Sequence, residues 1–102
     1  MSVDSFSKGI VEIISSSKDA ERVENEILQV FNALSKSSEA LDVFRNFGIP
    51  VEKKIEAINS LLDKRVLPLT LDLITLTISQ GFGDNLSDLE SSVANYLSLI
   101  HI

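Results

Sequence analysis

Between Val66 and Gln80 the chain carries more apolar surface than one side of a surface element can hide. Wound as a helix at about 100° per residue, this stretch shows two stripes. Leu67, Leu71, Ile74 and Ile78 form one; Val66, Leu69, Leu73 and Leu76 form another, nearly opposite. A helix with one apolar stripe needs one neighbour. A helix with two sits at the centre of a bundle, or gives one stripe to its own core and offers the other to a partner. The rival reading is a strand, because Leu67, Leu69, Leu71 and Leu73 alternate with Pro68, Thr70 and Asp72. A strand needs a pairing partner, and no other segment of the chain alternates convincingly. Pro68 fits the first position of a helix, where its missing N–H costs nothing. The stretch is read as a helix.

The remaining segments share the helical period. Val3, Phe6, Ile10, Ile13 and Ile14 mark a first helix to about Ser16, with Asp4 or Ser2 as its cap. Gly9 interrupts that pattern at a cost of about 1 kcal/mol against alanine. Two explanations stand: tolerance near a frayed end, or close approach of another helix backbone. Asp19 is placed to cap a second helix, whose buried face is Ala20, Val23, Ile27, Val30, Phe31 and Leu34. Glu21, Glu24, Asn25 and Glu26 fall mostly outside that face and read as solvated.

A short third helix, capped by Ser38 and ended by Gly48, buries Leu41, Phe44 and Phe47. Ile49-Pro50 restarts the chain. A fourth helix buries Val51, Ile55, Ile58 and Leu62, with Glu52, Lys53, Lys54 and Glu56 on its charged side. The Leu-rich stretch is the fifth, ended by a loop from Gly81 to Asp84. A sixth begins near Asn85 to Ser87, where Ser87-Asp88-Leu89-Glu90 has capping-box form, and buries Leu86, Leu89, Val93, Tyr96, Leu97 and Ile100. The fold class expected is all-α, a single-domain bundle of six helices.

Catalytic chemistry finds little to build on. The single histidine, His101, adjoins the last residue, where chain ends fray, and is read as a bystander. Gly81-Phe82-Gly83 lacks the lysine of a nucleotide loop. The acidic residues around Asp84 to Glu90 lack the glycine and spacing of a calcium loop. Zero cysteines exclude disulfides and thiolate metal sites. No enzyme activity, metal or cofactor is expected. A net charge of −6 with nine scattered basic residues repels phosphate backbones, so nucleic acid is not an expected partner and a mildly basic helix is a better one. No apolar run reaches the roughly 18 residues of a membrane span, and direct membrane insertion is not expected. The start of the chain lacks the basic and apolar regions of a secretory signal, which points to a cytosolic protein or a processed form.

Three stretches carry a family likeness. Phe6 through Ile14 is similar to an opening helix that usually starts Tyr-Ala and continues Ala-Leu. Asn46-Phe47-Gly48-Ile49-Pro50 with Lys53 and Lys54 is similar to an Asn-Pro-x-Ile-Pro-x-x-x-Lys junction. Leu67 through Ile74 with Gln80-Gly81 is similar to a fifth helix that ends in an Asn-Gly-Arg turn. In this order and spacing the chain resembles the N-terminal domain of the delta subunit of F-type ATP synthases, whose mitochondrial relative is the oligomycin sensitivity-conferring protein. Gly9, Phe47, Asp72 and Phe82 depart from the family's usual alanine, proline, asparagine and arginine.

The resemblance spans the first half of a typical member; the second domain is absent from this sequence. It implies a six-helix fold and a non-catalytic stator role. The domain would bind the N-terminal helix of an alpha subunit in a groove between the first and fifth helices. The peripheral stalk would be reached through the missing second domain. The implied groove comprises Phe6, Gly9, Ile10 and Ile13 on the first helix and Leu69, Leu73, Leu76, Thr77 and Gln80 on the fifth. The isolated domain would be a monomer. Its implied location is the cytoplasmic face of a bacterial inner membrane, or the chloroplast stroma or mitochondrial matrix side. The alternative is a general helical adaptor that uses the same spare stripe to bind a partner helix or to self-associate.

Overall fold

The computed structural model describes residues 1–100 and is an all-α bundle of six helices. They are α1 (Val3–Ser15), α2 (Ala20–Ser35), α3 (Ser38–Arg45), α4 (Val51–Leu62), α5 (Pro68–Ser79) and α6 (Leu86–Ile100). Among the described residues there is no strand. The reading of His101 lies outside them. Pro68 occupies the first turn of α5, where its fixed φ and missing N–H suit a helix start. Ser2 caps α1, its hydroxyl accepting the Ser5 N–H at 3.1 Å.

The hub of the bundle is α2, which packs on α6, α5, α3 and α1. Of the two places open to α5, the centre of the bundle is not the one it takes: α5 lies against α4 and α2. The two stripes of α5 also prove to be flanks of one broad buried face. Its enclosed residues are Thr70, Leu73, Ile74, Thr77 and Ile78, so the two threonines lie at the middle of that face and the leucines at its edges. One continuous core joins Phe6, Ile10 and Ile14 of α1, Phe31 of α2, Ile74 of α5 and Leu89 of α6, among others.

Several local expectations are overturned. Ser37, not Ser38, caps α3, accepting the Ala40 N–H at 3.2 Å. That helix stops at Arg45, ahead of Gly48, and Asn46 Oδ1 accepts the Gly48 N–H at 2.8 Å to make the turn. Phe47 therefore points away from the bundle and is 102% exposed; Val51 and Ile100 are exposed as well. Asp19 stands at the cap position of α2 but makes no side-chain cap bond. Leu86 is already helical, which places Ser87 inside the first turn of α6, so it is not the cap of a capping box. Lys54, assigned to the charged side of α4, is buried and donates to Phe44 O at 3.0 Å, satisfying a carbonyl of the last turn of α3.

Candidate functional site

The residues of the expected groove fall into two sets. Phe6, Ile10, Leu73 and Thr77 are buried and belong to the core. Gly9 and Leu69 are half-buried, Ile13 is 43% exposed, Leu76 is 37% exposed and Gln80 is exposed. On α1, positions 6, 9 and 13 follow one another at spacings of three and four. On α5, positions 69, 73, 76 and 80 do the same. Each set is thus one edge of a helix, running from core to solvent.

The two helices run antiparallel past one another. The Phe6 ring stacks on that of Phe82, three residues past the end of α5, with centroids 4.5 Å apart and planes inclined by 23°. This ties the N-terminal part of α1 to the C-terminal end of α5. At the opposite end, Ser17, Lys18 and Asp19, just past α1, line a cavity of about 210 Å³ together with Leu67, Pro68 and Leu69 at the start of α5. Between these two points, α1 and α5 are not a closely packed pair: α1 packs on α6 and α2, α5 on α4 and α2. The seam between α1 and α5 thus joins two helices whose buried members belong to the core and whose Ile13, Leu76 and Gln80 are exposed.

Gly9 has a definite place in it. A Cβ built there would meet nothing within 4 Å, so no helix of this chain makes the close approach that could explain a glycine. Thr77 turns its hydroxyl back onto Leu73 O at 2.8 Å, which leaves its methyl group to the apolar core. Gln80 closes α5, its N–H donating to Leu76 O at 2.9 Å while its side chain stays exposed.

Sequence reasoning missed Glu26. It was read as part of a solvated face, yet Glu26 Oε1 accepts the Leu67 N–H at 2.9 Å and the Thr70 hydroxyl at 2.7 Å, while Arg22 Nε donates to Oε2 at 3.1 Å. Burial alone would push its carboxyl pKa up; the bonds from Leu67, Thr70 and Arg22 together outweigh that and hold it below the usual value. One signal was available. The helix start at Leu67-Pro68 has no local side-chain acceptor, which leaves its first N–H groups to water or to a side chain from another helix. Phe82, read only as a departure from an arginine, is buried against Phe6.

Elsewhere, a concavity of about 600 Å³ lies between the α3–α4 turn and the α5–α6 loop, with Phe44, Lys54 and Ile78 on its walls and Phe47 at its rim. Arg45 and Asp84 pair across it, and the bond raises the Arg45 pKa further above its ordinary range. Among the described residues, no group of acidic, histidine or cysteine side chains is arranged to hold a metal ion, and no helix is long and apolar enough to cross a membrane. Comparison with family models, curated proteins and solved structures returns no match for this chain.

Proposed function

We propose that this domain is a non-catalytic connector that holds an amphipathic helix of a partner along the α1–α5 seam. The observation that carries this reading is the pair of antiparallel helices, joined at one end by the Phe6–Phe82 stack, with Ile13 and Leu76 left partly exposed beside the buried core. A guest helix would lay apolar residues at spacings of three and four along the seam, burying both side chains. The open space at Gly9 lets the guest backbone come close on the α1 side. The acidic net charge favours a guest with a neutral or basic outer face.

The resemblance of the first helix, the Ile49-Pro50 junction and the fifth helix to the ATP synthase delta family supports a specific guest, the N-terminal helix of an ATP synthase alpha subunit. In that role the domain would sit on the catalytic head and resist rotor torque, with a second domain reaching the peripheral stalk.

Calorimetric titration with a synthetic alpha-subunit N-terminal peptide from the same organism tests this reading. The free domain should sediment as a monomer and bind the peptide. Leu76→Asp should weaken binding by roughly 30-fold or more, the loss expected for a central interface residue. Its circular dichroism should be unchanged, because Leu76 lies at an edge of the core. A wild-type domain that gives no heat with the peptide overturns the proposal.

A further inference from the structure

The start of α5 poses a physical problem that α2 solves. The first N–H groups of a helix have no partner within it, and local side chains usually supply one. Here the residue at the cap position is Leu67, which has no acceptor, and Pro68 follows. The Leu67 N–H and the Thr70 hydroxyl both donate to one oxygen, Glu26 Oε1, from a helix 41 residues earlier. The other carboxylate oxygen is held by Arg22, which sets the orientation of the group.

Thr70 and Thr77 make the point by contrast. Both are fully enclosed on the same face of α5. Thr77 bonds back to its own helix at Leu73 O; Thr70 bonds across the bundle. The polar tie lies within one turn of Leu69, at the end of the seam where a cavity of about 210 Å³ separates α5 from the loop after α1. Apolar stacking at Phe82 secures the other end.

We propose that Glu26 is the positioning residue of the α5 edge: anchored on α2, it fixes the N-terminal end of α5 and so sets the angle at which Leu69 and Leu76 meet a guest helix. Its effect on a guest rests on the reading of the seam given above; its effect on α5 does not. It acts by holding the helix that carries Leu69 and Leu76, and by linkage a guest bound to them should in turn tighten the tie.

Hydrogen exchange followed by NMR on the free domain, at a temperature where every variant is folded, reads the tie directly. In Glu26→Ala, the Leu67 amide loses its acceptor and the Leu71 amide, bonded to Leu67 O at 3.1 Å, loses its fixed first turn. Both should exchange about tenfold faster or more relative to Val93 and Leu97 of α6. Glu26→Gln keeps an oxygen for both donors and should recover part of the protection. Thr70→Val removes one of the two bonds at nearly constant volume, and it carries the comparison at Leu71 if Glu26→Ala does not fold.

Titration of these variants with the alpha-subunit peptide should show weaker binding in the order of their exchange rates. Wild-type exchange at Leu67 and Leu71 in Glu26→Ala, or at Leu71 in Thr70→Val if the former does not fold, overturns the proposal, as does wild-type affinity in a variant whose α5 is loosened. A wild-type domain that binds no peptide would remove the reading of the seam, and the exchange rates would then decide the positioning role by themselves.

Discussion

The rings of Phe6 and Phe82 stack at a centroid distance of 4.5 Å and join the first helix to the loop that follows the fifth. Because both residues are buried, the stack is part of the core as well as one end of the seam. Removing the Phe82 ring deletes a large apolar group from a site that closes only partly. Phe82→Ala should lower stability by about 3–5 kcal/mol, a large share of the total for a domain of this size. Urea denaturation measures this; a midpoint near that of the wild type would show that the stack contributes little.

Gly9 should give effects of opposite sign on stability and on binding. A methyl group there meets nothing in the free domain, and a helix gains by losing a glycine. Gly9→Ala should raise stability by about 0.5–1 kcal/mol, which is a rise of several degrees in Tm for a domain of this size. The same methyl should weaken binding of the peptide if a guest backbone rests on Gly9. Thermal melts and a parallel titration check the pair, and a stabilised variant of unchanged affinity would move the guest away from that position.

Glu26 predicts an acid-sensitive component of stability. Its carboxyl pKa lies below the ordinary value of 4.5 in the folded chain and returns to that value on unfolding. The unfolded state therefore binds the proton first as pH falls. The contribution is fully present above about pH 4.5 and is lost as pH drops through the folded value. The wild type should lose stability below pH 4.5 more steeply than Glu26→Gln, by at most about 1.4 kcal/mol per pH unit for this one proton. Parallel slopes for the two proteins between pH 5 and the acid transition would contradict the assignment.

Phe47 separates what helical spacing can tell from what it cannot. Its position three residues after Phe44 puts both on one face of an ideal helix, but α3 ends at Arg45 and the face ends with it. Phe47→Ser should leave stability within about 0.5 kcal/mol of the wild type, the usual range for a surface site, as chemical denaturation would show. A loss of several kcal/mol would mean that the ring is covered in solution.

The order and type of all six helices were legible in the sequence, as was the first-turn position of Pro68, because period and proline chemistry act locally. Val51 and Ile100 lie inside their helices, unlike Phe47, and were misread because periodicity says which residues share a face and says nothing about whether another helix covers it. Glu26 and Lys54 were misread in the opposite sense. Each is a charged residue on an otherwise solvated face whose partner is a backbone group on another helix or at its start, a contact that no local pattern encodes. The hub position of α2 was hidden as well, since α5 has the greater apolar content and yet fewer helix neighbours. For the seam, the family resemblance supplied the residues; the Phe6–Phe82 stack and the proximity of Ser17–Asp19 to Leu67–Leu69 show that the two helices run antiparallel.

Whether the α1–α5 seam receives a partner helix is decided by chemical-shift mapping of the isotope-labelled domain during addition of the alpha-subunit N-terminal peptide. Saturable shifts are expected at Gly9, Ile13, Leu69, Leu76 and Gln80, abolished in Leu76→Asp. Shifts clustered instead around Phe44, Phe47 and Asp84, or none anywhere at saturating peptide, would contradict docking in the seam.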